Sequence, residues 1–215
     1  MIALGLRCLL AYLLGSLMGG LIVGRAYGGV DIRTQGSGNA GGTNALRTQG
    51  KVFALWVMLI DIGKGVAAAW LLPSIPLPVP GGEVLTGAWT AALCGMFAIV
   101  GHVFPVFFGF RGGKGAATYV GVVGVLDPLA LVPGLAVFAL TLTLTGYVGL
   151  STILAAWAIA AYALVYFGPA SPVFVFALAM GCFITYTHRA NIARLKAGNE
   201  NRFHRAMILR KRPRT

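Results

Sequence analysis

The sequence predicts an all-α, polytopic integral membrane protein of seven transmembrane helices, N-terminus outside and C-terminus cytoplasmic. Three observations carry this. Of 215 residues, 58% are hydrophobic and only 10% charged, with a mean hydropathy of +0.82. Soluble domains carry about 25% charged residues, so lipid must be the solvent for much of this chain. The 17 Lys and Arg are also segregated: none lies from Gly65 to Phe110 or from Gly115 to His188, and nine follow His188. Third, the apolar runs alternate with breaks rich in glycine, proline or basic residues. The length suits a single membrane-embedded domain, residues 1–215.

The first run, Ile2 to Tyr27, reads as one span and carries no signature of a cleavable leader. Its Gly15, Ser16, Gly19, Gly20 and Gly24 make a small-residue stripe that admits a neighbouring helix closely. The longest polar stretch, Gly28 to Lys51, follows, and then the second run, Val52 to Leu72. Pro73 to Gly82 contains four prolines and no base, so it cannot continue a helix and reads as an outside loop. The third run, Val84 to about Phe104, meets a second polar break, His102 to Lys114. Ala116 to Tyr147 is interrupted at Asp127-Pro128, and a span needs about 20 residues. That region fits one long span or two short helices. Parity decides for two, because only then do all basic breaks and the tail face the cytoplasm. Gly149 to Phe167 and Pro172 to Thr187 complete the seven, and the polar tail from His188 reads as helical.

Composition disfavours nucleic-acid binding, because the basic tail is short and the body lies in lipid. Basic breaks and tail instead suit anionic lipid headgroups. Cys8, Cys94 and Cys182 stand isolated in apolar runs, with no disulfide framework or zinc-site spacing, and read as packing residues. No metal and no cofactor are expected.

The first polar segment contains Gly36-Ser37-Gly38-Asn39-Ala40-Gly41-Gly42-Thr43-Asn44 and then Arg47. Glycines let successive backbone N–H groups converge on one anion. Ser37, Asn39, Thr43 and Asn44 add neutral donors, and Arg47 adds a fork suited to phosphate oxygens. The embedded G-x-G-x-x-G is not a dinucleotide motif, which needs a preceding strand in a βαβ unit. A merely flexible loop would not interleave two Asn and an Arg with its glycines.

The second segment reads Gly101-His102-Val103-Phe104-Pro105 and then Phe110-Arg111-Gly112-Gly113-Lys114-Gly115. It resembles a phosphate loop in composition but not a Walker A element, since Phe108 replaces the leading Gly and Gly115 the Ser/Thr after Lys. Lys114 opens the next helix, where its charge and the exposed amides both favour an anion. His102 reads equally well as a structural histidine. In the third segment, a helix would set His188, Asn191 and Arg194 on one face. Glu200 reads as an ion-pair partner of a local Arg, holding a cationic site in shape. Asp61 and Lys64, three apart on an apolar helix, read as a supporting pair that orients nearby cations.

Together, Gly-Ser-Gly-Asn-x-Gly-x-Thr-Asn, Gly-His-x-Phe-Pro with Gly-Gly-Lys-Gly, and Asn-x-x-Arg-Leu-x-x-Gly-x-Glu resemble the bacterial acyl-phosphate:glycerol-3-phosphate acyltransferases (the PlsY family) over nearly the whole chain. Departures are small: Gly42 stands where Ala is more familiar, and Arg111 where Lys is often seen. The resemblance implies acyl transfer from a long-chain acyl phosphate to the 1-hydroxyl of sn-glycerol 3-phosphate, giving lysophosphatidate and phosphate in the first step of bacterial phospholipid synthesis. It also implies a multi-pass protein of the bacterial cytoplasmic (inner) membrane with its site facing the cytoplasm. An acyltransferase that makes the acyl phosphate is then a candidate partner, beside membrane lipids.

Carried over by position, the catalytic set is Ser37, Arg47, Lys114, His188 and Asn191. Gly36, Gly38, Asn39, Thr43, Asn44, Gly112, Gly113 and Gly115 join these in binding substrate, with Asp61, Lys64, His102, Arg194 and Glu200 supporting. The family's proposed mechanism uses no protein nucleophile, and the substrate phosphate helps remove the hydroxyl proton. The residues agree. No His is followed five positions on by Asp, as Phe107, Ala193 and Leu209 occupy those places, and no Cys lies in a polar segment. The rival from another class is a transporter of a phosphorylated solute. That would set its site near the bilayer midplane between repeated halves, and no internal repeat is visible here.

Overall fold

The computed structural model describes residues 2–76 and 87–208, and all regular structure among these is helical. The chain forms two compact units, Met1–Asp127 and Pro128–Thr215.

In the first unit, α1 (Ile2–Gly15) and α2 (Gly19–Ala26) are separate helices bent by 44° at residues 16–18. The unbroken first span expected from sequence is therefore two pieces. The short α3 (Gly42–Thr48) leads into α4 (Lys51–Ser74), which packs against α1, α2, α3, α5 (Gly87–Val103) and α6 (Ala116–Leu126). Small residues set these crossings, as membrane helices without a hydrophobic drive toward one another require. A Cβ at Gly15 would strike the Ala98 carbonyl of α5, and Gly65 and Gly121 let α4 and α6 meet backbone to backbone at Thr118 and Ile62. Helix α4 runs through Pro73 to Ser74, beyond the expected stop, because a proline in the last turn removes only one ladder bond. The Arg7 guanidinium of α1 donates to the Ile75 carbonyl just past its end, at 3.0 Å. The rest of the expected outside loop, with Val84 at the head of the third run, lies outside the described residues.

In the second unit, α7 (Leu131–Thr145) and α8 (Val148–Phe167) pack together, as do α8 and α9 (Pro172–Thr187). Gly146 at φ 74° makes the turn from α7 to α8. Ser171 caps α9, its hydroxyl accepting the Phe174 N–H at 3.1 Å, with Pro172 in the first turn. A 55° bend at His188 leads to α10 (Arg189–Lys196). The chain then returns along the α7–α8 turn: Phe203 N–H donates to Gly146 O at 2.7 Å and Ile208 N–H to Thr143 O at 3.1 Å.

The break at Asp127-Pro128 falls where the sequence placed it, between α6 and α7. Among the described residues, four helical stretches are long and apolar enough to cross a membrane: Lys51–Ser74, Gly87–Phe108, Pro128–Thr145 and Val148–Phe167. Counting each bent pair, α1–α2 and α9–α10, as one span gives six, and α6 is a shorter apolar helix. Their outward faces carry large apolar side chains, among them Trp56 and Trp70 on α4 and Val132, Leu135 and Leu140 on α7, which suits lipid.

Candidate active site

The glycine-rich loop of the first unit is organised around Asn44. This side chain is buried, and its Nδ2 points at three carbonyls: Ile32 at 2.8 Å, Asn39 at 2.9 Å and Gln35 at 3.0 Å. Its Oδ1 accepts the Ser37 N–H at 2.8 Å and the Ser37 hydroxyl at 3.1 Å. A buried amide with every polar atom engaged is satisfied within the protein. Asn44 therefore shapes the loop from within. Gly36 sits at φ 56° against this amide, where a side chain would strike Asn44 Oδ1. Ser37, Gly36 and Gly38 are exposed, and Asn39 and Thr43 half-buried. Arg47 stands in the last turn of α3, a helix the sequence did not disclose. Its guanidinium is exposed and makes no hydrogen bond or ion pair among the described residues.

The loop is latched to the second polar segment by Arg33, which sequence reasoning used only for its charge. Its guanidinium grips Asp31 with three hydrogen bonds, Nε to Oδ1 at 3.0 Å and to Oδ2 at 3.2 Å, and Nη2 to Oδ2 at 2.8 Å. Its Nη1 donates to the carbonyls of Arg111 at 3.1 Å and Phe108 at 3.3 Å. The hydrogen bond from Arg33 holds the Asp31 carboxyl below the ordinary carboxylate range, against the opposing effect of partial burial. The Asp31-x-Arg33 spacing was the available signal.

In the second segment, Gly112 N–H donates to Val103 O at 3.2 Å and Gly113 N–H to His102 O at 3.1 Å. These amides terminate α5, so the expected cradle of exposed amides does not extend to Gly112 and Gly113. What the glycines supply is close approach: a Cβ on Gly113 would collide with His102 Nε2. Gly115, at φ 86°, is the N-cap of α6, and the half-buried Lys114 immediately precedes it.

The supporting pair is fully internal, with side-chain exposures of 3% for Lys64 and 0% for Asp61. Lys64 Nζ lies 3.0 Å from Asp61 Oδ1 and donates to Leu17 O at 2.8 Å, while Gly19 N–H donates to Asp61 Oδ1 at 3.2 Å. Leu17 lies in the break between α1 and α2, and Gly19 opens α2 just after it. The ion pair thus satisfies backbone groups that a membrane core would leave stranded. His102 Nδ1 stands 3.4 Å from the same carboxylate oxygen, near enough for attraction but not aligned as a hydrogen bond.

In the second unit, His188 is buried at the α9–α10 bend, and its Nδ1 lies 2.8 Å from Ile184 O. A carbonyl only accepts, so Nδ1 carries the proton. Asn191 Nδ2 donates to Glu200 Oε1 and Arg194 Nε to Glu200 Oε2, each at 2.6 Å. Glu200 has both oxygens engaged, the ion pair expected from sequence. Gly149, not singled out in the sequence, allows Asn191 to sit against α8: a Cβ there would come within 2.8 Å of Asn191 Nδ2.

A family model described as glycerol-3-phosphate acyltransferase matches residues 5–198. The chain is 44% identical over 194 residues to a glycerol-3-phosphate acyltransferase of a Synechococcus strain, covering 89% of this chain and 90% of that one. It is 41% identical to glycerol-3-phosphate acyltransferase 2 of Bacillus anthracis, covering 92% and 97%. Among solved structures it is similar to PlsY, an integral membrane glycerol 3-phosphate acyltransferase. The glycerol 3-phosphate form has a TM-score of 0.81 at 35% identity, and the lysophosphatidic acid form 0.80 at 34%, each covering 93% of this chain and 95% of that one.

Proposed function

The chain belongs to the glycerol-3-phosphate acyltransferase family, and from that premise we propose that it moves a fatty acyl group from acyl phosphate to the 1-hydroxyl of sn-glycerol 3-phosphate. The products are lysophosphatidate and inorganic phosphate. The observation that carries this reading is the likeness over 93% of the chain to an acyltransferase solved in its glycerol 3-phosphate form. Acyl phosphate suits these residues because it is already activated, and no His is followed five positions on by Asp, the base that an acyl-CoA donor would call for.

The chemistry follows from the donor. The 1-hydroxyl oxygen attacks the acyl carbonyl, the carbonyl–phosphate C–O bond breaks, and phosphate leaves with the bonding pair. The hydroxyl proton passes to a phosphate oxygen of the substrate. Arg47 and Lys114 hold phosphate charge, Arg47 through its unengaged fork. Asn39 and Thr43 supply neutral donors, Ser37 joins them by turning its hydroxyl from Asn44 to the phosphate, and His188 and Asn191 orient glycerol phosphate. Positioning of an already activated ester supplies much of the barrier reduction.

Seven passes in the inner membrane complete the reading, α1–α2 counting as one and α6 as a short pass of about 16 Å at 1.5 Å per residue. The N-terminus is outside, and the basic segments are cytoplasmic. Purified protein in detergent, given acyl phosphate and glycerol 3-phosphate, should release phosphate and form lysophosphatidate in equal amounts. Absence of both products from folded protein overturns the reading.

A further inference from the structure

The buried carboxylate of Asp61 touches both glycine-rich segments of the first unit at one remove. On one side its Oδ1 accepts the Gly19 N–H at 3.2 Å. The next residue, Gly20, lies so close to the loop that a Cβ there would strike the Ala40 carbonyl and come within 2.7 Å of Ile32 Cδ1. Ile32 O in turn accepts from Asn44, the residue that holds Ser37. On the other side the same Oδ1 lies 3.4 Å from His102 Nδ1. The far edge of that imidazole abuts Gly113, and Gly113 donates its N–H to His102 O at 3.1 Å. Lys114 is the next residue. His102 is 2% exposed and Asp61 0%, so neither reaches solvent.

An anchoring role for the α1–α2 break accounts for Lys64 and for one contact of Asp61. It does not account for an imidazole wedged between that carboxylate and the one glycine before the phosphate lysine. We propose that His102, held by Asp61, is a positioning residue that fixes the height of the Gly113–Lys114 backbone and thereby the affinity for the phosphate of glycerol 3-phosphate. The proposal rests on the reading of Lys114 as a phosphate cation. The ring acts as a spacer: its thickness sets where Gly113 can stand, and the Asp61 carboxylate beside it sets where the ring can stand.

The test is steady-state kinetics of the full chain in detergent, with acyl phosphate saturating and glycerol 3-phosphate varied. His102→Ala should raise KM for glycerol 3-phosphate about tenfold with kcat little changed, and should lower the melting temperature only as far as the lost packing requires. His102→Asn, which keeps a polar group of similar reach toward Asp61, should recover most of the loss. Gly113→Ala should raise KM further, because its methyl strikes the ring. In the double variant, where the ring is gone, that methyl should have little effect. A double variant whose KM rise is the product of the two single rises overturns the proposal. Should Gly113→Ala not fold, equal KM values for His102→Ala and His102→Asn overturn it. Wild-type protein that makes no lysophosphatidate, or an active Lys114→Ala, fails the acyltransferase reading or the role of Lys114 instead.

Discussion

Asn44 holds Ser37 from both ends: one amide oxygen accepts the Ser37 N–H at 2.8 Å and its hydroxyl at 3.1 Å. The same side chain donates toward three loop carbonyls. The loop is therefore rigid at its most polar point, and its exposed donors are preorganised by a residue that has none to spare. Asn44→Ala should leave buried groups unpaired at about 1–3 kcal/mol each, lowering the melting temperature and activity together. Asn44→Asp should be worse than Ala, because a carboxylate would face three carbonyl oxygens. Thermal melts in detergent decide it, and Asp matching or exceeding Ala in stability would sink the hub assignment.

Arg47 makes the opposite prediction. Its guanidinium is exposed and engages nothing among the described residues, so removing it disturbs no packing. Arg47→Ala should cut turnover by orders of magnitude while the melting temperature holds. Arg47→Lys should recover part of the loss, keeping charge but not the fork. Lys114→Ala should likewise cut turnover by orders of magnitude. Near-normal turnover in either Ala variant refutes its role in holding phosphate.

Much of this architecture was legible in the sequence. The Asp127-Pro128 break was visible because proline stops a ladder and its neighbour avoids the helical region. The bend after Gly15 was not, since residues 16–18 are Ser, Leu and Met and break no rule. The backbone groups at that bend are met by a buried ion pair 42 or more residues away, at Asp61 and Lys64. Helix α3 hid inside a glycine-rich stretch. Asn44 looked like one donor among four, because a sequence does not say which side chains turn inward. Gly112 and Gly113 looked like an anion cradle, although the end of α5 takes their N–H groups.

Gly149 carries a prediction about Asn191. With only hydrogen at Gly149, Asn191 can lie against α8 and reach Glu200 at 2.6 Å. Gly149→Ala should push that side chain away and reduce kcat/KM by about tenfold or more without unfolding the unit. Glu200→Gln should act more mildly, since an amide oxygen can still accept from one partner while the charge opposite Arg194 is lost. Wild-type kinetics for Gly149→Ala would show that the placement of Asn191 does not matter to the reaction.

The Asp31–Arg33 latch predicts a pH dependence whose sign is fixed. The Asp31 carboxyl is depressed chiefly by the Arg33 hydrogen bond. A depressed carboxylate contributes stability above its unfolded value, here 3.8, and loses it as pH falls through its lower folded value. The stability difference between wild type and Asp31→Asn should thus be constant from pH 6 to 8 and shrink only below 3.8. It should also be small, about 1 kcal/mol at most, because both side chains are partly exposed. A difference that instead changes between pH 6 and 8 points to another titrating group.

The cysteines predict both chemistry and topology. Cys94 is fully buried, Cys8 nearly so, and Cys182 is exposed on the apolar α9. None touches a residue of the proposed site by any contact described here. Replacing all three with Ala should cost some stability at Cys8 and Cys94 through lost packing and leave turnover within a few-fold of wild type. A folded but inactive triple variant would revive a thiol mechanism. In that background, single cysteines at the exposed positions Lys51, Arg111 and Lys196 give a sidedness map. All three should react with an impermeant maleimide only when the cytoplasmic face is opened, because the basic breaks stay inside. One of the three labelled from the outer face would break the seven-pass arrangement at the segment that carries it.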